Sequence, residues 1–289
     1  MTLDMQAVGD LLRQAGREII MPRFRRLRDD DIREKSQADL VTIADEEAEA
    51  FLTPQLEALL PGSRTVGEEA VSANPALLGR LAEPGYHWVI DPIDGTASFA
   101  AGCALFACMV ALVKDGDAVA GWILDPPTGR LFMAEHGAGA YLCEPESARG
   151  PDSLQRLRTA NPPSLAHIAG VANFRMKDRE LAARIAYRLD RTAGVLNLRC
   201  SGQEYPAMAL GQIHYGIYGR CIPWDHAPGA LLLTEAGGVV RRLDGTPYRA
   251  SDPPAGALHR AADKPWGSPL LAACGEEQWN WLKTGLFDP

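Results

Sequence analysis

Trp88-Val89-Ile90-Asp91-Pro92-Ile93-Asp94-Gly95-Thr96 is a short apolar run that ends in two acids. A buried strand is expected over Trp88–Ile90, closing on Asp91, with Pro92 fixing the turn and Asp94 following three residues on. Two carboxylates at a strand end, separated by Pro-Ile, can converge on one small volume. Gly95 allows the backbone to approach a ligand closely, and if Gly95 and Thr96 open a helix, their amides face an anion.

Working outward, three more acidic stretches stand at the ends of expected elements. Gly67-Glu68-Glu69 directly follows the strand Arg64–Gly67. Asp39-Leu-Val-Thr-Ile-Ala-Asp45 opens a helix. Ile222-Pro-Trp-Asp225-His226 starts another, which Gly237-Gly238 ends. Each alone has a structural reading, Asp225 as a helix cap and Asp45 as an acid in a first turn. Together they ask for something that holds carboxylates in company.

Around these stretches the chain changes character twice. Val8, Leu11, Leu12, Ala15 and Ile19 recur at helical spacing and predict an amphipathic helix over residues 3–21, with Pro22 helping to end it. The basic run Arg23, Arg25, Arg26 and Arg28 reads as a solvated helix end. A second helix is expected from Thr42 and Asp45 to Pro61-Gly62, kinked or delayed by Pro54. Short apolar runs then follow at 64–67, 87–90, 106–113, 118–124, 131–134 and 140–142. Turn chemistry at Lys114-Asp-Gly-Asp117 and Asp125-Pro-Pro-Thr-Gly129 makes the middle ones an antiparallel meander. Residues 144–164, rich in Pro, Ser, Arg and Glu, mark a boundary between subdomains 1–145 and 146–289. Beyond it, strands at 168–172, 195–198, 215–218 and 239–241 alternate with helices at 176–190, 202–211 and 225–236. That alternation predicts a layered α/β second half. A loop over 250–268, a strand at 270–273 and a short helix carrying Trp279 and Trp281 complete it.

The 289 residues are 46% hydrophobic and 23% charged with a formal net charge of −8, which excludes disorder as the main state. The negative balance gives no general reason to bind nucleic acid or anionic lipid. The N-terminus has acids where a signal peptide has bases, and no apolar stretch approaches a membrane span. Cys103, Cys108, Cys143, Cys200, Cys221 and Cys274 are dispersed without a close pair, so they read as reduced thiols of a cytoplasmic protein.

Converging carboxylates repel, so either some are protonated or cations hold them together. Hard oxygen donors without cysteine or paired histidine favour Mg²⁺ over zinc. Two such ions can clamp the attacking and leaving oxygens of an in-line phosphoryl displacement. The chemistry suggested is metal-assisted hydrolysis of a phosphate monoester.

At Asp39–Asp45, Gly67-Glu-Glu69, Trp88–Phe99 and Trp224-Asp225 through Gly238, in order and approximate spacing, the chain resembles the inositol monophosphatase family of Mg²⁺-dependent, lithium-sensitive phosphatases. The resemblance implies a layered α-β-α-β-α sandwich of the sugar-phosphatase type, α+β or α/β in class, with an antiparallel N-terminal sheet and a mixed or parallel C-terminal one. It also implies a homodimer and two or three Mg²⁺ ions. Carried over, it makes Glu68, Asp91 and the carbonyl of Ile93 ligands of a first metal, and Asp91, Asp94 and Asp225 ligands of a second. Thr96, paired with Asp45, would orient and help deprotonate the metal-activated water, while the Gly95 and Thr96 amides bind phosphate. Lys35 lies where the family often has a lysine.

Departures lie on the substrate side. Thr96 is followed by Ala97-Ser98-Phe99 where many members have Asn-Phe; Tyr218 stands where inositol phosphatases carry a glutamate; and Cys200-Ser-Gly-Gln-Glu-Tyr205 replaces the usual Gly-Ser-Ala-Ala. Gln203, Glu204, Tyr218 and Arg220 are therefore the specificity candidates. Inositol or another sugar phosphate, histidinol phosphate, fructose 1,6-bisphosphate and a 3′(2′),5′-bisphosphate nucleotide remain open as substrates. A regulatory binding protein on the same fold is the alternative from another class. Asp244-Gly-Thr246 reads as a hairpin turn, and His226 as a packing residue beside Asp225.

Overall fold

The computed structural model describes residues 3–36, 39–145, 154–174, 178–252 and 269–287. Nine α-helices and fourteen strands are described, among them α1 (Met5–Ala15), α2 (Met21–Arg23), α3 (Ile43–Leu59), α4 (Glu68–Ala73) and α5 (Thr96–Ala100). The rest are α6 (Arg179–Arg188), α7 (Ser201–Ala209), α8 (Pro223–Glu235) and α9 (Glu276–Leu282). None of these helices is long and apolar enough to cross a membrane.

The strands form three sheets. β1 (Ile32–Ser36) and β2 (Asp39–Thr42) pair as a two-stranded ribbon. β3 (Arg64–Gly67), β4 (Tyr86–Asp94), β5 (Ala107–Lys114), β6 (Asp117–Asp125), β7 (Arg130–Glu135), β8 (Gly139–Cys143) and β9 (Leu154–Arg156) lie side by side in chain order. The five-stranded sheet has the order β11 (Gly194–Leu196), β10 (Ala169–Asn173), β12 (Tyr215–Tyr218), β14 (Leu270–Ala273), β13 (Val239–Arg242).

Alternating side chains assign the layers. On β5, Cys108, Val110 and Leu112 meet Val8, Leu12 and Ala15 of α1 and Ala48, Leu52 and Leu56 of α3. From the opposite face, Ala107 and Met109 meet Tyr205 and Met208 of α7 and Leu231–Leu233 of α8. The same two helices cover Val171, Leu270 and Ala272 of the five-stranded sheet, whose other face, through Ala172, Leu271 and Ala273, takes Ile185 of α6 and Trp279 and Leu282 of α9. The result is the α-β-α-β-α sandwich. β5 is apolar from Ala107 to Val113 because both its faces are covered there.

Differences from the sequence reading have local causes. The first helix does not end at Pro22. A π-turn over Gly16–Ile20 joins α1 to α2, and Pro22 falls at the second position of α2, where a missing amide costs nothing. Pro54 sits within α3 without breaking it. The larger sheet is not wholly antiparallel, since β3 and β4 are parallel. Helix α4 and the 3₁₀ segment Pro75–Ala82 carry the chain back to the starting edge, which a parallel pair requires. Of the expected boundary at 144–164, residues 146–153 lie outside the described residues, and Leu154–Arg156 add a strand to the first sheet. Most of the expected 250–268 loop, residues 253–268, is likewise outside them.

Candidate active site

Asp91 and Asp94 sit on a bulged strand rather than beyond a strand end. Asp91 pairs with Met109 and Asp94 with Ala107, so three steps along β4 match two along β5. In a regular strand, residues three apart point to opposite faces; one extra residue restores them to the same side. Pro92-Ile93 fills the bulge, where an absent amide breaks no ladder. Gly95 then turns the chain with φ +88°, and a Cβ there would lie 2.6 Å from the Leu105 carbonyl oxygen. Only glycine fits both the dihedral and the space.

Each acid is held by groups from a different element. At the start of α3, the Thr42 amide and hydroxyl donate to Asp45 Oδ2 at 2.8 and 2.6 Å. The second oxygen, Asp45 Oδ1, faces the Thr96 hydroxyl at 3.4 Å, which also donates to the Ile93 carbonyl at 3.0 Å. One helical turn beyond Asp45, Glu49 accepts from the Glu69 and Ala70 amides, both at 2.8 Å, and so caps α4. A Cβ on Gly67 would run into that Glu49 carboxyl. Lys35 of β1 donates to Glu68 at 2.9 Å and Glu69 at 2.8 Å. Asp94 Oδ2 accepts from Ser201 Oγ at 2.9 Å and the Gly202 amide at 2.6 Å, the first residues of α7. Asp225 lies in the first turn of α8.

The electrostatics mark one cluster. Burial, then the charges of Glu68, Asp94, Asp225 and Asp45, push Asp91 well above the usual carboxylate range. Burial lifts Asp45 to about 7 against its Thr42 bonds, and Asp94 to about 6 against the donors from Gly202 and Ser201. Burial and Glu68 take Glu69 to about 8. Lys35 is raised, because Glu68 and Glu69 outweigh the burial that would lower it. Asp91 Oδ1 is buried with no hydrogen-bond partner, an arrangement that costs free energy unless a cation meets it. The hard oxygens of this set and the Ile93 carbonyl suit Mg²⁺ in type. Among the described residues no three such side chains are gathered tightly enough to hold an ion as they stand, and the cation touching the cluster is the Lys35 ammonium.

The specificity candidates divide. Gln203 Nε2 donates to the Phe106 carbonyl at 2.9 Å. Glu204 and Tyr218 are buried, with Tyr218 stacked on Tyr205 at 5.3 Å. Arg220 is exposed, and its carbonyl lies 2.9 Å from Nε2 of buried His226, whose Nδ1 lies 3.1 Å from the Tyr205 hydroxyl. With Nε2 donating and Nδ1 accepting, His226 is a neutral packing residue, and burial lowers it to about 4. Asp244 accepts from the Thr246 amide and hydroxyl in an exposed turn, away from the cluster's chemistry. Sequence reasoning missed Ser201, Gly202, Glu49 and Thr42. A signal existed for Glu49, which is four residues from Asp45 and therefore on the same helix face.

The layered fold and the cluster of buried acids are those of a phosphatase fold, and the comparison with known families gives the class. The profile of the Inositol monophosphatase family matches residues 4–276, and the chain belongs to that family. It is a phosphomonoester hydrolase. It is 30% identical over 210 residues to the inositol-1-monophosphatase of Bacillus subtilis, covering 73% of this chain and 75% of that protein. To the fructose-1,6-bisphosphatase/inositol-1-monophosphatase of Aquifex aeolicus it is 29% identical over 260 residues, 87% of this chain and 91% of that one. The extragenic suppressor protein suhB of Bartonella henselae shares the fold with a TM-score of 0.75 at 22% identity, over 98% of each chain.

Proposed function

We propose that this protein hydrolyses a small phosphate monoester with Mg²⁺ as its cofactor, inositol monophosphate or a related sugar phosphate being the first substrate class to test. The observation that carries the reading is the buried Asp91, whose unpartnered oxygen stands among four further acids. Glu68, Asp91, the Ile93 carbonyl, Asp94 and Asp225 would hold two or three ions. When bound, Mg²⁺ supplies Lewis-acid neutralisation of the phosphate and of the acids themselves.

The protein's own groups do the rest. Thr42 immobilises one oxygen of Asp45, leaving the other to face the Thr96 hydroxyl. A water attacking phosphorus gives its proton through Thr96 to Asp45, whose burial favours the protonated form that accepting this proton produces. The amides of Gly95 and Thr96, at the start of α5, would meet the phosphate oxygens. Lys35 holds Glu68 and Glu69 in place through its two ion pairs. Six free thiols suit a reducing, cytoplasmic setting, and a homodimer is the expected assembly, to be read by light scattering.

The test is phosphate release from inositol, sugar, histidinol and nucleotide phosphates, with Mg²⁺ and then with chelator. Mg²⁺-dependent release from one class is expected. A folded, Mg²⁺-binding protein that releases phosphate from none would overturn the reading in favour of a binding role.

A further inference from the structure

The basic run Arg23, Arg25, Arg26 and Arg28 is only in part the solvated helix end that the sequence suggests. Residues 23–25 each hold an element of the site. Arg23, the last residue of α2, donates through Nε and Nη2 to the two carboxylate oxygens of Glu47, at 2.8 and 2.5 Å. Glu47 lies on α3, two positions beyond Asp45. Phe24 packs on Phe99 of α5, with ring centres 5.7 Å apart, and on Phe106 just before β5, at 5.0 Å. Arg25 Nε donates to the Gly102 carbonyl at 2.9 Å, two residues beyond the end of α5, and its guanidinium lies 5.0 Å from the Phe24 ring centre.

The backbone marks the same place. Arg25 has φ +61° and directly follows the C-cap of α2, a position that glycine usually takes. A left-handed arginine persists where its surroundings hold it, and here its own bond to Gly102 does so. A cation at the carbonyl end of a helix is favourable, so the same bond steadies α5. The two elements that residues 23–25 grip are the ones that bring Asp45 and Thr96 together. Asp45 Oδ1 and the Thr96 hydroxyl are 3.4 Å apart, at the weak end of hydrogen bonding, so a small shift of either element would part them. Among the described residues no backbone hydrogen bond joins α3 to α5, which leaves their spacing to side chains.

We propose that residues 23–25 form a clasp between α3 and α5 that sets the spacing of Asp45 and Thr96, with Arg23 and Arg25 as positioning residues for the proton transfer. This rests on the reading of Thr96 and Asp45 as the path of that proton, and it makes a segment outside the acidic cluster part of turnover.

The test compares the full chain with its variants in phosphate release and in amide hydrogen exchange. Arg25→Gly keeps the dihedral and deletes the bond to Gly102, while Arg23→Glu sets a like charge against Glu47. Each should lower kcat about tenfold. Half-saturating Mg²⁺ should hold, because the assigned ligands lie on β4, α4 and α8. Arg25→Lys, which still brings a donor to the Gly102 carbonyl, should recover most of kcat, and the double variant R23E/E47R should restore both the ion pair and the rate. Arg26→Ala removes an equal charge from an exposed neighbour and should change nothing. In a Thr96→Val background, R25G and R23E should lower kcat no further, since the hydroxyl they position is gone. An unchanged kcat, or the same loss with and without that hydroxyl, overturns the proposal. Hydrogen exchange separates this from failure of the phosphatase reading. Even where no ester is hydrolysed, R25G and R23E should speed exchange of the amides of residues 96–103 about tenfold while those of β5 hold. Faster exchange there sustains the clasp, and unchanged exchange refutes it.

Discussion

Ser201→Ala tests the grip that joins the two halves of the site. Asp94 Oδ2 has two direct donors, Ser201 Oγ at 2.9 Å and the Gly202 amide at 2.6 Å. The substitution deletes the first and leaves the amide. Met109 Sδ, 3.8 Å from the same hydroxyl, is an acceptor and cannot replace it. A hydrogen bond to a charged group contributes about 1.5–3 kcal/mol, which corresponds to about 10- to 150-fold in an equilibrium constant. Loss of that bond lets the Asp94 carboxyl rotate and raises its hold on a proton further above its present level near 6. Because Asp94 is assigned to a metal, the cost should fall on Mg²⁺ affinity, by about 10- to 100-fold, as for other groups that orient ligands. The assay is phosphate release against Mg²⁺ concentration at pH 8 and pH 6, with circular dichroism to check the fold. Half-saturation is expected to rise, more at pH 6, while turnover at saturating Mg²⁺ holds. An unchanged half-saturation would refute the reasoning, and a loss of turnover without a shift would mean that Ser201 acts on the substrate.

Asp94→Asn should abolish turnover while thermal unfolding stays cooperative; retained activity would remove Asp94 from the metal assignment. Gly95→Ala forces a Cβ against the Leu105 carbonyl in a left-handed backbone and should destabilise by roughly 2–5 kcal/mol, read by urea unfolding; a change under about 1 kcal/mol would show that the turn relaxes freely. Glu204 gives a pH signature, since burial raises it from 4.5 to about 8. The folded state therefore keeps a proton that the unfolded chain has lost, so this stability is complete below pH 4.5 and disappears as pH rises through about 8. Glu204→Gln lacks the effect, so the wild-type melting temperature should fall relative to E204Q between about pH 5 and 9. Parallel profiles would show that Glu204 titrates normally.

What the sequence by itself determined was whatever depends on neighbours along the chain. The apolar runs of β5 to β7 and the turn residues between them predict the meander, because hydrophobic patterning and turn chemistry are local. The helix that carries Asp225 in its first turn and stops just before Gly237 was legible for the same reason. The candidate acids stood out for a similar reason, since Asp94, Glu68, Asp45 and Asp225 each lie at or near an element end and Asp91 lies three residues before one, all within a few residues of recognisable punctuation.

Only the tertiary structure decided how those ends meet. The bulge that turns Asp91 and Asp94 to one side exists through the register with β5, and the parallel pairing of β3 with β4 depends on where the crossover returns. Ser201 and Gly202 lie over a hundred positions from Asp94, yet they hold its carboxylate, and Lys35 reaches Glu68 and Glu69 from a ribbon the apolar pattern did not reveal. Glu204, named from the sequence as a specificity candidate, is buried within the layers, where no pattern of neighbours along the chain could have placed it. Periodicity records which face of an element is buried; which distant element covers that face is set by packing among layers, and the site's geometry is made there.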